Sequence, residues 1–308
     1  MPAPHDDNAQ FDQSPYAPGI RRIAPAGSGE RTGGRSRQPP RRRLNPWAAL
    51  ALTGLVFGLW LIGTPEGVYG KTWAIGYAVC HQIPARSFLL GPQAEGATMP
   101  LCARCTGTYL GVMVGFLAPL LLRRGRAGKL PHWSVLAALG LFTLVMAVDG
   151  VNSYLNLFPS GSPLYQPSNE LRLLTGSLHG LTMASILYPV FNQSTWLRWR
   201  QERSLRHLGD LALLVIAVLA LDLLVLTREP LALQVLSLVS TGGVVAVLMA
   251  INTVLVVTLT RRDQSARDWG DLAVPLIVAF GLTFMLIGFM NAGRFALFGS
   301  WEGVPLGG

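Results

Sequence analysis

The chain has 308 residues, of which 50% are hydrophobic and only 13% are charged, and its mean hydropathy is +0.39. This composition is typical of an integral membrane protein and excludes a soluble enzyme, a secreted disulfide scaffold and a nucleic-acid-binding domain. The formal net charge of +9 therefore indicates orientation in a lipid bilayer rather than a nucleic-acid partner.

Residues 1–46 are rich in arginine, proline and glycine and contain almost no large apolar side chains. Such a segment cannot bury enough surface to offset the entropy lost on ordering. We therefore expect a disordered, basic cytoplasmic tail. It is followed by a membrane domain over 47–191, a basic cytoplasmic loop over 192–207 and C-terminal membrane helices over 208–308.

Seven stretches of the chain are long and apolar enough to cross about 30 Å of hydrocarbon as α-helices. Six of them contain no charged residue, and the fifth in chain order contains a single acid, Asp222. The predicted fold is an all-α, polytopic helical bundle with about seven transmembrane helices. The stretches are 44–65, 105–122, 130–148, 173–197, 211–227, 230–260 and 272–293.

The basic residues indicate how this bundle is oriented. If the N-terminus is cytoplasmic, 19 of the 25 Lys and Arg residues fall in segments on the inner side. The positive-inside rule then predicts a cytoplasmic N-terminus and an extracytoplasmic C-terminus in the cell membrane. Between Lys71 and Arg86 the uncharged stretch is too short to span, so it predicts an interfacial or re-entrant piece.

This topology places several motifs on the outer face. They are Cys80-His81-Gln82, a Pro-x-Arg-Ser ending at Ser87, Pro-Leu-Cys-Ala-Arg-Cys-Thr-Gly over 100–107, Asp149-Gly150, and Asn-x-Leu-Arg-x-x-Thr-Gly over 169–176. The set resembles a bacterial and archaeal membrane-protein family known as domain of unknown function 2085, over about residues 73–188. The matching positions are Cys80, His81, Gln82, Arg86, Cys102, Arg104, Cys105, Gly107, Asp149, Asn169, Arg172 and Gly176.

The resemblance implies a shared motif set but no established activity. The chain also contains no phosphate-binding loop, no HExxH and no Gly-x-Ser-x-Gly sequence, so no particular reaction is predicted.

All three cysteines of the chain lie in these motifs. A Cys-x-x-Cys pair together with a distant Cys and His is a ligand set for zinc or another soft metal. We therefore expect a metal site formed by Cys80, His81, Cys102 and Cys105, with Asp149 or water as alternative fourth ligands.

Two other interpretations of the cysteines stay open. Arg104 lies between two thiols near a helix N-terminus, where a lowered pKa favours thiol–disulfide exchange. A simpler alternative is one structural disulfide, since the outer face is oxidising, although this leaves one thiol over.

An anion site is the third functional hypothesis. Arg86, Arg104 and Arg172 are predicted to gather on the outer face, and arginine suits carboxylate or phosphate. The alternative is that Asp149, Glu170 and Glu95 neutralise them in a packed layer. The full predicted polar cluster is Gln82, Arg86, Arg104, Asp149, Asn169, Arg172, Thr175 and His179.

Two features of the predicted spans are expected to be structural. Gly107, Gly111 and Gly115 form a small-residue stripe, which allows close helix packing. Asp222 is expected to pair with an outer arginine or a hydroxyl group. The lipid bilayer is the one partner predicted from the sequence, and a nucleic acid is not expected.

Overall fold

The computed structural model of the protein describes residues 45–91, 97–156, 161–162 and 164–302. The predicted basic tail therefore lies outside the described residues except for its last two positions. Within the described ranges the structure is almost entirely helical, as predicted. Its elements are α1 Pro46–Gly63, α2 Gly67–Val79, a 3-10 turn Pro84–Arg86, α3 Ala103–Leu121, β1 Ala127–Lys129, α4 Trp133–Leu155, α5 Asn169–Thr195, β2 Arg200–Arg203, α6 Leu208–Leu226, α7 Pro230–Leu259 and α8 Trp269–Phe298.

Local sequence signals explain where several helices begin and end. The Asn45 side chain accepts a hydrogen bond from the backbone of Trp47, and Pro46 occupies the first turn of α1. Ser168 and Asp268 cap α5 and α8 in the same way. Gly299 ends α8 with a φ of 68°, a left-handed conformation that glycine adopts without strain.

Six helices in the described part of the chain are long and apolar enough to cross a membrane: α1, α3, α4, α6, α7 and α8. Helix α5 has 27 residues, which is long enough, but it is less apolar than the others. Its polar side chains, including Arg172, Ser177 and Asn192, are buried inside the protein. A helix that is surrounded by protein does not need an apolar surface. Helix α5 is therefore still a candidate for the seventh transmembrane helix, and that assignment stays a prediction.

Helix α4 continues further than its sequence pattern predicts. The uncharged stretch ends at Val148, yet the helix runs to Leu155. Asp149 and Asn152 both lie within it and are only 1% exposed. Both side chains form hydrogen bonds inside the protein. Because their polar groups are satisfied, the helix can continue beyond the end of the uncharged stretch.

Helices α3 and α5 lie parallel and in backbone contact. A Cβ atom added to Gly107 would lie 2.1 Å from the Leu173 carbonyl oxygen, and one added to Gly111 would lie 2.1 Å from that of Ser177. On α5, a Cβ atom added to Gly180 would lie 2.0 Å from the Thr108 carbonyl oxygen of α3. The predicted glycine stripe is therefore a packing surface, matched by a second one on α5.

The loops divide between the two ends of the bundle. At one end, β1 pairs with β2, and Trp196 bridges to Ala266, so the three loops predicted to be cytoplasmic meet there. The motif region lies at the other end. Helix α2 has 13 residues and is about 20 Å long, so it is too short to span, as expected for the piece between Lys71 and Arg86.

Replacing Gly111 with alanine should lower the free energy of unfolding by about 2 kcal/mol, because the new methyl group overlaps backbone that cannot move aside. Thermal unfolding in detergent, followed by circular dichroism, measures this change. Gly140→Ala in α4 is the matched control, since its Cβ would meet nothing within 4 Å. Equal stability of the two variants would contradict the close contact of α3 with α5.

Candidate functional site

The three cysteines come from two segments that the end of α2 and the start of α3 bring together. Cys80 immediately follows α2, and Cys102 immediately precedes α3. Gln82 joins the segments, because its buried amide donates to the carbonyl oxygens of Trp73, at 3.1 Å, and Pro100, at 2.8 Å. Gly76 allows this contact, since a Cβ there would lie 2.1 Å from the Pro100 oxygen.

The sulfur atoms of Cys80, Cys102 and Cys105 all lie within 4.8 Å of one another. None of the three is in a disulfide in the structure. The Cys80 sulfur also accepts backbone hydrogen bonds from Gln82, at 3.4 Å, and Cys102, at 3.3 Å. Backbone N–H groups directed at a sulfur stabilise negative charge on it, but at Cys80 the side-chain hydrogen bond with Cys102 and burial outweigh this effect on the thiol pKa.

The cysteine cluster lies against an apolar wall. Cys80 is buried together with Leu101 and Val244, and Ile75 and Tyr109 pack against the same group. Cys102 and Cys105 are partly exposed. An apolar surrounding with one partly open side protects bound thiolates from water and still leaves a path of entry.

The thiols perturb one another strongly. Hydrogen bonds from Cys105 and then Cys80 hold the pKa of the Cys102 thiol well below its usual value, and the positive charge of Arg104 lowers it further. The hydrogen bond with Cys102 raises the pKa of Cys80 to about 12, and burial also raises it. The cluster therefore favours one thiolate, at Cys102, as the first anionic ligand.

The structure does not bring the other two predicted ligands to the sulfurs. His81 is exposed and does not belong to the group of nearby ligand atoms in the described residues. Its backbone oxygen accepts a hydrogen bond from Arg294 instead, at 3.0 Å. Asp149 forms an ion pair with Arg104.

Asp149 is the centre of a second polar cluster. Besides Arg104, its carboxylate accepts hydrogen bonds from the Tyr165 hydroxyl, at 2.9 Å, and the Thr175 hydroxyl, at 3.4 Å. Burial, with the hydrogen bond to Asp149, raises the pKa of Tyr165, so this residue acts as a neutral donor.

The three arginines meet on Ser153. Arg86 donates to its backbone oxygen at 2.9 Å, while Arg104, at 3.0 Å, and Arg172, at 3.4 Å, reach its hydroxyl. Arg172 also donates to Asn169, which in turn donates to the Ala85 carbonyl oxygen.

This arginine cluster carries more positive than negative charge. Among the described residues, Asp149 is the only acid that forms an ion pair with Arg86, Arg104 or Arg172, and its partner is Arg104. Glu170 lies near Arg228 instead, at 3.9 Å, and Glu95 is outside the described residues. Burial and the charge of Arg104 lower the pKa of Arg86. The Nε atom of Arg104 is buried and has no hydrogen-bond partner among the described residues.

Two predicted members lie apart from this cluster. Gln82 joins α2 to Pro100, and His179 contacts Thr143 at 3.2 Å from its Nδ1 atom. Asp222 pairs with the Ser177 hydroxyl at 2.6 Å, which is the hydroxyl partner expected for it.

Sequence reasoning missed several residues that shape the site. Ser153 and Tyr165 carry no motif of their own. Arg294 belongs to α8, yet it donates to the carbonyl oxygens of Tyr77, at 2.7 Å, Cys80 and His81. It thereby holds the turn that carries Cys80. The one signal in the sequence was that Arg294 is among the six Lys and Arg residues predicted to lie on the outer side.

The motif region of the chain matches a known protein family. The family model described as predicted membrane protein, domain of unknown function 2085, matches residues 80–186, which contain both clusters. An uncharacterised protein of Methanocaldococcus jannaschii is 33% identical over 129 residues, covering 42% of this chain and 73% of that protein. An uncharacterised protein of Methanothermobacter thermautotrophicus is 33% identical over 107 residues, covering 34% and 81% respectively.

The protein is thus a multi-pass membrane protein with a cysteine cluster that could hold a metal ion. More narrowly, it belongs to the family of predicted membrane proteins known as domain of unknown function 2085. No solved structure matches the chain.

Proposed function

We propose that this protein binds one soft metal ion, of the zinc type, through Cys80, Cys102 and Cys105. The observation that carries the proposal is the mutual distance of the three sulfurs, all within 4.8 Å. Tetrahedral ligands that each lie about 2.3 Å from one ion are about 3.8 Å apart, so sulfurs within 4.8 Å of one another need only a small shift to bind a single ion. Thiolate sulfur is the donor that soft metals prefer.

A tetrahedral metal ion has four ligands, and the three cysteines supply three of them. The fourth ligand could be water, His81 or a substrate. A site with three protein ligands and one exchangeable position is typical of metal centres that act on, or pass on, a bound group, whereas structural sites are closed. The apolar wall of Leu101 and Val244 and the partly exposed Cys102 fit such a half-open site.

The arginine cluster supports the same proposal electrostatically. Three thiolates around one divalent ion leave a net negative charge, which is costly in a low-dielectric region. Arg104 lies between Cys102 and Cys105 in the sequence. Burial and the charge of Arg104 lower the pKa of Arg86, and negative charge on Cys102 offsets part of this lowering. These cations therefore favour the multiply deprotonated cluster that metal binding requires.

We further propose that the cluster faces away from the cytoplasm. The three loops that meet at the opposite end of the bundle contain Arg123, Arg124, Arg200 and Arg262 among other basic residues. The end with the clusters lacks this excess of basic residues, which is the asymmetry that the positive-inside rule describes.

A second candidate function is the binding of a small anion by Arg86, Arg104 and Arg172. The observation that favours it is the excess of guanidinium groups over carboxylates among the described residues, where the Arg104 Nε atom also has no hydrogen-bond partner. A tetrahedral or carboxylate anion would supply the missing acceptors and charge.

Protein purified without reductant should contain about one zinc, copper or iron ion per chain by elemental analysis. Each of Cys80→Ser, Cys102→Ser and Cys105→Ser should lower the metal content at least tenfold, because a hydroxyl is a poor ligand for a soft metal. Asp149→Asn is the matched control and should retain the ion, since Asp149 lies outside the group of ligand atoms.

Thiol counting separates this outcome from the alternatives. A metal site yields three thiols after chelation and denaturation without reduction. A metal-free protein with one free thiol, and two more only after reduction, would contradict the proposal and establish a disulfide. Loss of metal in His81→Ala would make His81 the fourth ligand, and its retention would leave that position to water.

The orientation is tested with reporter fusions. A reporter active only outside the cytoplasm should work when fused after Gly308 and stay silent when inserted between Arg123 and Lys129. The opposite pattern would place the cysteines on the cytoplasmic side.

Anion binding is tested by titrating sulfate and inorganic phosphate into purified protein in a calorimeter. Arg86→Gln should weaken binding about tenfold or more, since a hydrogen bond to a charged group contributes about 1.5–3 kcal/mol. Arg200→Gln, at an exposed position on the opposite end, is the control. Unchanged affinity in Arg86→Gln would exclude this candidate.

A further inference from the structure

A cavity of about 300 Å³ lies among α3, α5, α7 and α8, at the end of the bundle where β1 pairs with β2. Its wall is almost entirely apolar. Phe116 and Leu120 of α3, Phe191 of α5, Met249 of α7 and Leu276 of α8 form much of this wall. None of the described residues that line the cavity is charged.

The apolar wall is accessible from outside the protein. Leu120 is 56% exposed and Trp269, another lining residue, is 64% exposed. Phe116, Met249 and Leu276 are each partly exposed. Trp269 begins α8, and Leu276 lies seven residues further along it, so the cavity extends about 10 Å from the end of this helix. In a bilayer this space is open to acyl chains.

Hydrogen bonds join the cavity wall to the loop between α3 and α4. The Tyr188 hydroxyl donates to the Gly125 carbonyl oxygen at 2.8 Å, and the Asn192 amide donates to that of Ala127 at 2.9 Å. Both donors line the cavity. The loop therefore lies next to the cavity, and it contains four basic residues, Arg123, Arg124, Arg126 and Lys129.

Arg126 is the loop cation whose contacts lead to the cavity. Its guanidinium carbon lies 4.4 Å from the centre of the Trp196 ring, and its Nη2 atom donates to the Arg267 carbonyl oxygen at 3.2 Å. The Trp196 indole donates to Asn192 at 3.0 Å, and its ring centre is 4.9 Å from that of Trp269. Since Asn192 and Trp269 line the cavity, a single ring connects Arg126 to the cavity wall.

The charge of Arg126 is not neutralised by an acid in the described structure. None of the ion pairs among the described residues includes Arg126. Asp210 pairs with Arg124 at 2.6 Å, and Asp268 and Asp271 accept backbone hydrogen bonds at the start of α8. A partly buried cation without a counter-charge favours an anionic ligand, because solvation alone compensates it poorly.

The surrounding loops carry the same excess of positive charge. Residues 122–132, 196–207 and 260–268 together contain eleven basic and three acidic residues. Basic segments at the end of a membrane helix attract anionic lipid headgroups. Tryptophan prefers the depth at which headgroups meet acyl chains, and Trp269 occupies the corresponding end of the cavity.

We propose that this cavity binds one anionic phospholipid. One acyl chain lies along the apolar wall between α3 and α8, and the phosphate accepts hydrogen bonds from the Arg126 guanidinium. Trp269 lies between these two parts of the lipid. The apolar wall and the unneutralised cation thus recognise the two ends of the same molecule.

The test uses full-length protein that has been delipidated in detergent. Dioleoylphosphatidylglycerol and dioleoylphosphatidylcholine are added separately, and binding is followed by native mass spectrometry. The two lipids have the same acyl chains, but only the first has a net negative charge. The phosphatidylglycerol should bind at one molecule per chain and at least tenfold more tightly than the phosphatidylcholine.

Arg126→Gln should weaken phosphatidylglycerol binding about tenfold and remove most of the preference for it, because a charge-assisted hydrogen bond is lost. Arg126→Lys keeps the charge and should keep most of the preference. Arg206→Gln is the matched control, since this exposed arginine at the same end of the bundle pairs with Glu202 at 2.7 Å. It should bind both lipids as the unaltered protein does.

A second pair of variants tests the apolar part of the site. Ala250→Phe places a ring in the cavity and should weaken the binding of both lipids. Ala273→Phe, at an exposed position of α8 that does not line the cavity, is its control and should leave binding unchanged. The thermal midpoint of each variant, followed by circular dichroism, shows that it is folded.

Four results would overturn the proposal. Three are equal binding of the two lipids, an unchanged preference in Arg126→Gln, and unchanged binding in Ala250→Phe. The fourth is a dimer of delipidated protein that excludes lipid, which would assign the cavity to a second copy of the chain. None of them depends on metal content or on orientation in the membrane, so the test is independent of the cysteine cluster.

Discussion

The direct backbone contact between α3 and α5 is the constraint on which the candidate site depends. Gly107 and Gly111 on one helix, and Gly180 on the other, leave no room for a side chain between them. Because the two helices run parallel, their N-termini emerge at the same end of the bundle. Arg104 and Arg172 therefore approach the same serine on α4, and the cysteines occupy the side of α3 that the glycines leave free.

Much of the fold was predictable because burying a charge in lipid is costly at every position along a helix. Gaps between charges therefore locate the apolar helices to within a few residues. The same reasoning was less accurate where protein, rather than lipid, surrounds the polar group. It ended α4 before Asp149, which is buried in hydrogen bonds, and it treated α5 as apolar although that helix contains several buried polar side chains.

The candidate site was predictable only where its residues belong to short motifs. Cysteine and arginine are residue types that bind metals and anions, and here they occur in short motifs that are visible in the sequence. The structure brings the three cysteine sulfurs together. Contacts such as Arg294 with the Cys80 carbonyl oxygen join positions more than 200 residues apart, and no local pattern records them.

The glycine contact also sets the angular position of the sulfurs around α3. Each residue turns an α-helix by about 100°, so the short interval from Cys105 to Gly107 determines which way the thiols face. Inserting one residue in this interval would leave the glycines against α5 but rotate the sulfurs away from Cys80. The spacing between the two motifs therefore encodes the orientation of the cluster, independently of which residues fill it.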